Sequence, residues 1–171
     1  MPRTLFQGIA FLIGFWIALA VSPMTVKVAR ADVAAETEFA DLEARLFSEV
    51  NALRLRHHLI PLQRSPDLDR VAIRHSIDMA RRNYMSHFSP EGNNPVDRIT
   101  QSGLSGFTLA AENLGKTNRR DPNREIVDGW LASPDHRRNL LTPPFNTTGI
   151  GISRAPDGSL IYTQVYVTYP R

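Results

Sequence analysis

Asn83-Tyr-Met-Ser-His-Phe-Ser-Pro-Glu-Gly92 ends one helical stretch and decides how the rest of the chain is read. Ser89-Pro90 and Glu91-Gly92 are poor continuations of a helix, because proline lacks the N–H and glycine favours turns. The stretch therefore delivers His87 just beyond a rigid element, where an imidazole can face a cleft. The helix before it is well marked. Ser65-Pro66-Asp67 supplies a hydroxyl cap, a proline at the first helical position and an acid in the first turn. Leu68, Val71, Ala72, His75 and Met79 then form one apolar stripe at helical spacing. His75 on that stripe reads as a hydrogen-bonded core residue, with Asp78 as its partner or as a cap for the following loop.

Further upstream, Phe39, Leu42, Leu46, Val50 and Leu53 recur every three or four residues and predict a first helix from Glu36 to about Arg56. His57 and His58 fall in its last turn. Neighbouring helical residues point about 100° apart, so the pair reads as surface or capping residues and not as a metal site. Leu59-Ile60-Pro61-Leu62 reads as short and extended.

Downstream, Asn94-Pro95 starts a short helix over 96–101 that Gly103 stops. Residues 105–114 have no clean period and read as loop, then a short strand or turn; they contain Glu112. Asp121-Pro122 starts another helix, with Ile126, Val127, Trp130 and Leu131 inward. Ser133-Pro134-Asp135 ends it and caps a further short helix carrying His136, Asn139 and Leu140. Gly149-Ile-Gly-Ile152, the turn Ala155-Pro-Asp-Gly158 and the alternating run from Leu160 to Tyr169 predict a β-hairpin. Helices first and strands late, with no βαβ rhythm, indicate an α+β sandwich on an antiparallel sheet.

The formal net charge is +3, but residues 1–31 hold Arg3, Lys27 and Arg30 and no acid. Subtracting those three from 20 basic residues leaves 17 against 17 acidic ones. A neutral folded part gives no support for nucleic-acid binding. The pairs Arg81-Arg82, Arg119-Arg120 and Arg137-Arg138 read as solvated helix ends. The chain has no cysteine, which excludes thiol catalysis and Cys-ligated zinc. Arg3, the apolar run from Leu5 to Val21 and the small-x-small site Ala29-Arg-Ala31 have the order of a Sec-type signal peptide. The expected organisation is a leader over 1–31, cleaved or retained as an anchor, and a single domain over 32–171. The product is then secreted or periplasmic.

The chain resembles the CAP superfamily (cysteine-rich secretory proteins, antigen 5, pathogenesis-related 1), in its bacterial cysteine-free SCP branch. The resemblance is carried by His75-Ser-Ile-Asp-Met-Ala80, Ser86-His-Phe-Ser-Pro-Glu-Gly92, Ala111-Glu-Asn-Leu114, Trp130-Leu-Ala-Ser-Pro-Asp-His-Arg-Arg-Asn-Leu140, Gly149-Ile-Gly-Ile152 and Tyr162-Thr-Gln-Val165. It implies a three-layer α-β-α sandwich with a central antiparallel sheet, and a cleft whose tetrad in many members is two histidines and two glutamates. By position His87 and His136 match the histidines and Glu112 the first glutamate. The second glutamate is replaced by Ser133, which cannot supply an anionic oxygen. The implied cleft set is His87, Glu112, His136, Ser133 and Asn113, with His87, His136 and Glu112 as the candidate ligands of zinc or another divalent cation.

Two uses of this trio stay open on chemistry alone. Two neutral imidazoles and a carboxylate are the first ligands of a hydrolytic zinc site with an open position, with Glu112 in the catalytic role of a peptidase- or esterase-like enzyme. The same groups are also a hydrogen-bond network that shapes a binding cleft. Binding is the favoured reading, with no required cofactor, and the family points to a small molecule, a lipid or a cell-envelope component as partner. Contact with a membrane is expected only through the leader, and the chain is expected to be a monomer. Ser86, Ser89 and Ser133 lie near a histidine, yet none sits in a strand–turn–helix elbow. Tyr84, Phe88, Phe107 and Phe145 are candidate cleft aromatics, with core packing as the simpler reading.

Overall fold

The computed structural model describes residues 23–170, and of residues 23–38 the backbone only. Helix α1 (Pro23–Arg56) is followed by β1 (Gln63–Arg64), α2 (Pro66–Arg82), α3 (Pro95–Gln101), β2 (Leu109–Thr117), α4 (Pro122–Ala132), α5 (Pro134–Leu141), β3 (Thr147–Arg154) and β4 (Leu160–Thr168). The helical backbone of α1 begins well before Glu36, because residues 24–38 contain no glycine or proline to stop it. The apolar run from Leu5 to Val21 lies outside the described residues. Among those described, no helix is long and apolar enough to cross a membrane.

The sheet has the order β1-β3-β4-β2. β3 pairs antiparallel with β4 through the expected hairpin, and β4 pairs antiparallel with β2 from Leu109↔Thr168 to Thr117↔Leu160. The two-residue β1 adds a parallel edge beside β3, so the sheet is mixed at one margin. β2 is nine residues long and regular, where the sequence indicated only a loop and a short strand or turn. The physical reason is its burial pattern. Glu112, Asn113 and Leu114 are buried in succession, because both faces of this part of β2 are covered, and the alternation that reveals a one-faced strand is lost.

Side chains divide cleanly between the two faces. Leu42, Leu46, Val50 and Leu53 of α1 pack with Ile126 and Trp130 of α4, Leu140 of α5, and Ile150, Ile152, Tyr162 and Tyr166 of the sheet. On the other face Leu68, Val71 and Ala72 of α2 pack with Ile99 of α3 and with Val165 and Val167 of β4. The result is the expected α-β-α layering. The approach of α2 to β3 depends on two glycines. A Cβ on Gly149 would lie 2.1 Å from the main chain of Leu68, and one on Gly151 2.1 Å from that of Ile73. Ser76 Oγ uses this closeness to donate to Gly151 O at 2.9 Å.

The local signals at helix starts held in part. Ser65 Oγ accepts from the Leu68 amide, and Asn94 forms a complete capping box with Asp97. Asp121 and Ser133 stand at the cap positions of α4 and α5 but make no side-chain cap bond. The capping role expected of Ser133 is therefore not made; Pro134 and the turn from α4 into α5 define that start.

Candidate functional site

α2 ends at Asn83, whose left-handed backbone (φ 53°) turns the chain away from the helix axis. The turn is fixed by the Tyr84 hydroxyl, which donates to the Asp78 carboxylate. Asp78 thus secures this loop and is not the partner of His75. His75 itself is buried and donates from Nε2 to Ser86 O at 3.0 Å. Burial holds its pKa below the ordinary imidazole range, so its ring is neutral at neutral pH and serves as a post beneath the loop. His87, one residue further on, is presented outward.

Glu112 of β2 points to the same face of the sheet. Its side chain is 1% exposed. Oε2 accepts from Arg98 Nη2 at 2.7 Å, and Oε1 accepts from His87 Nδ1 at 2.9 Å. His75 Nε2 stands 3.9 Å from Oε1. Arg98 of α3 also donates to His87 O and Asn93 O at 2.9 and 2.8 Å. One guanidinium therefore fixes both the buried carboxylate and the backbone of the residue that the carboxylate orients. The sequence reading missed Arg98. Its place in the last turn of a capped helix seven residues long, close to the stretch that carries His87, does not by itself mark these partners.

His136 comes from the opposite layer. Asn113, next to Glu112, points to the α4–α5 face, where its amide donates to His136 O at 3.0 Å and to the Tyr166 hydroxyl at 3.3 Å. Asn139 Nδ2 donates to Asn113 Oδ1 and to Glu112 O, and Trp130 Nε1 donates to Leu114 O at 2.8 Å. These bonds occupy outward carbonyls of the edge strand β2, which protects that edge from pairing with another chain. The two imidazoles meet across this edge with ring centres 6.4 Å apart and planes tilted by 58°. Burial first, and then the His87 ring, hold the His136 pKa below the ordinary imidazole range.

The structure thus brings together His87, Glu112 and His136, with Asn113 fixing the main chain of His136. Of the candidate aromatics, Phe145 is a core residue stacked on Tyr166 with centres 5.5 Å apart. Phe107 packs against the α2–α3 core, and Tyr84 packs beside Met79 and Ala80. Phe88, next to His87 in the chain, is 58% exposed and is the one aromatic of the four not packed in a core.

The donor set does not form a metal site as arranged. Both oxygens of Glu112 are engaged, one by a permanently charged guanidinium that a cation would have to displace. The imidazole centres are somewhat wider apart than the roughly 5–6 Å of two rings on one tetrahedral zinc. Among the described residues no group of three or more His, Cys, Asp or Glu side chains could hold an ion. The arrangement instead orients an imidazole. A carboxylate accepts, so Nδ1 of His87 carries a proton, and in the neutral ring Nε2 is then the acceptor. The His87 side chain is 45% exposed, and its ring stands beside that of His136.

Comparison with known proteins agrees with this architecture. The model of the cysteine-rich secretory protein family matches residues 47–166. The protein YkwD of Bacillus subtilis is 33% identical over 146 residues, covering 85% of this chain and 54% of its own length. The membrane protein YlbC of the same organism is 32% identical over 125 residues, covering 73% of this chain and 34% of its own. The chain therefore spans about half or less of the curated relatives it matches. Among solved structures, an extracellular SCP-domain protein of Bacillus anthracis superposes with a TM-score of 0.68 at 30% identity, covering 88% of this chain and 45% of that one. An outer surface protein of Borrelia burgdorferi superposes with a TM-score of 0.70 at 23% identity, covering 76% of this chain and 94% of that one, and shows the shared fold.

Proposed function

The chain belongs to the cysteine-rich secretory protein family, in a branch without cysteines, and from that premise we propose that it is an exported binding module. Its cleft between the His87 loop and α5 takes a small polar group of a cell-envelope or extracellular ligand. The observation that carries this reading is the state of Glu112. Its carboxylate is buried, neutralised by Arg98 and hydrogen-bonded to His87. It is a positioning group and holds the imidazole in the tautomer that presents Nε2 as an acceptor. His136 supplies a second neutral ring across the cleft, and exposed Phe88 supplies an apolar margin.

Hydrolysis would need a nucleophile or an activated water. Ser86 Oγ accepts from the Phe88 amide and Ser89 Oγ from the Asn93 amide, and among the described residues neither hydroxyl is hydrogen-bonded to His87 or His136 as an activated nucleophile would be. Export is supported by the signal-peptide order of residues 1–31 and by the extracellular and outer-surface relatives.

The test is native mass spectrometry of the purified protein after incubation with a bacterial cell-envelope extract. Wild type should retain a small molecule of unaltered mass, and a His87→Ala/His136→Ala variant should retain none. Appearance of cleaved products with wild type, absent with the variant, would replace binding by hydrolysis.

A further inference from the structure

A second cavity, of about 360 Å³, opens between α2, the 89–93 turn and α3. Its volume lies at the lower end of the range of small-ligand sites. Its wall takes Arg74, His75 and Asp78 from α2, Glu91 from the turn, and Arg98 and Gln101 from α3. Glu112, His87 and His136 do not line it. It is a separate space from the cleft, joined to it through the side chains of His75 and Arg98.

Those two side chains are withdrawn from water, with His75 2% exposed and the Arg98 side chain 12% exposed. One buried nitrogen on each, His75 Nδ1 and Arg98 Nε, has no hydrogen-bond partner among the described residues. Their other nitrogens are engaged. His75 Nε2 donates to Ser86 O, and Arg98 Nη1 and Nη2 donate to His87 O, Asn93 O and Glu112. A buried polar group left unmet costs free energy, and native domains contain few. The two nitrogens ask for opposite partners. Because Nε2 carries the proton of the neutral His75 ring, Nδ1 is bare and accepts, whereas Arg98 Nε can only donate. A carboxylate or phosphate would satisfy Arg98 and be repelled by the Nδ1 lone pair, and an ammonium would do the reverse. A hydroxyl both donates and accepts, so it serves either nitrogen. The rest of the wall favours the same chemistry. Arg74 and Arg98 balance Asp78 and Glu91 in charge, Gln101 brings a donor and an acceptor, and Val71 is the one apolar side chain among the lining residues. An ion gains little from such a wall, and an acyl chain finds little to pack on. We propose that this cavity binds a neutral polyol, a sugar unit, with one hydroxyl donating to His75 Nδ1 and another accepting from Arg98 Nε as the exposed side chains of Arg74 and Gln101 move aside.

The sugar unit belongs either to a soluble molecule or to a polysaccharide, and two probes separate these. With glucose, the backbone amide signals of residues 89–93 should shift saturably in the NMR spectrum, and the nitrogen-15 resonance of His75 Nδ1 should move with them. Sodium acetate and ethylammonium chloride should produce neither change. Apparent affinity for glucose should fall at least tenfold in His75→Gln, which keeps a donor for Ser86 O but lacks the ring acceptor. It should fall as far in Gln101→Trp, which fills the cavity from an exposed position and leaves both nitrogens in place. His136→Ala alters the cleft alone and should bind glucose as wild type does. Retention on cross-linked dextran, released by glucose, supports the site and assigns it a polysaccharide, and glucose-induced shifts without retention support it with a soluble sugar. An unmoved His75 Nδ1, or equal shifts with acetate, would overturn the proposal. So would glucose binding that survives both His75→Gln and Gln101→Trp but is lost in His136→Ala, since the sugar would then occupy the cleft. If neither probe binds, the two nitrogens are met by solvent and the site does not exist. The melting temperature of each variant verifies that it is folded.

Discussion

Arg54 and Glu112 lie on opposite faces of the sheet, each with its charged end withdrawn from water, and each is satisfied in a different way. Arg54 spends its guanidinium on main-chain carbonyls alone. Nε donates to Ile60 O, Nη1 to Leu140 O and Thr142 O, and Nη2 to Phe145 O, at 2.9 to 3.2 Å. It ties the end of α1 to the segment that leads from α5 into β3, and Arg54 itself is fully buried with no group beside it that titrates near neutral pH. Glu112 is satisfied by side chains, and one of them, His87, is half in solvent. A buried charge closed on backbone is a clamp. A buried charge that ends on an exposed imidazole sets the chemistry of a surface. The domain uses the first kind to hold its layers and the second to prepare its cleft.

The largest expected effect falls on the clamp. Arg54→Met keeps much of the volume and removes four charge-assisted bonds, and at about 1 kcal/mol or more apiece the loss is about 4 kcal/mol. That is a large share of the ~5–15 kcal/mol that stabilises a domain. Urea denaturation should show it, while ligand retention by the remaining folded protein should be intact. A variant that unfolds as wild type does would mean the carbonyls find other donors.

Glu112→Gln should cost less, about 1–3 kcal/mol. Glutamine offers one acceptor and one amide donor to two groups, Arg98 and His87, that both donate, so one of them loses its partner. Here stability and ligand retention should fall together, unlike in Arg54→Met. Loss of stability with full retention would remove Glu112 from the cleft.

Next comes pH. Burial lowers the pKa of His75, so below the unfolded value near 6.5 the unfolded chain binds more protons than the native one. Stability is then fully present above that value and declines as pH falls through the folded pKa. The melting temperature should drop between pH 7 and pH 5. His75→Gln, whose amide can still donate to Ser86 O, should flatten the decline, and an equally steep decline in that variant would assign the effect elsewhere. His87→Ala should have the smallest effect on stability, about 1 kcal/mol, because its ring is half exposed and water entering its place can donate to Glu112 Oε1, yet it should abolish ligand retention.

The two charges also differ in how legible they were. Both cleft histidines were readable next to a clear helix stop or start, His87 after α2 and His136 just inside α5, and Glu112 only through the family motif Ala111-Glu-Asn-Leu114. Arg54 was not, since an arginine on the flank of an apolar stripe looks like an ordinary solvated residue, and its partners are main-chain atoms up to 91 residues away. Arg98 was missed for the same reason: a guanidinium's partners are set by tertiary contacts and leave no spacing in the sequence. The α+β class and the hairpin were legible from element order and periodicity, and the three layers from the family resemblance. β2 was not, because burial on both faces erases its alternation.

The claim on which the cleft rests is that Glu112 sets the tautomer of His87. Nitrogen-15 NMR of the imidazole rings in alkaline solution reads this directly. The account predicts that the His87 proton resides on Nδ1, facing the carboxylate, with Nε2 bare. A His87 ring protonated on Nε2 would contradict it, since the buried carboxylate would then not be orienting the imidazole and the cleft would present a donor where an acceptor is required.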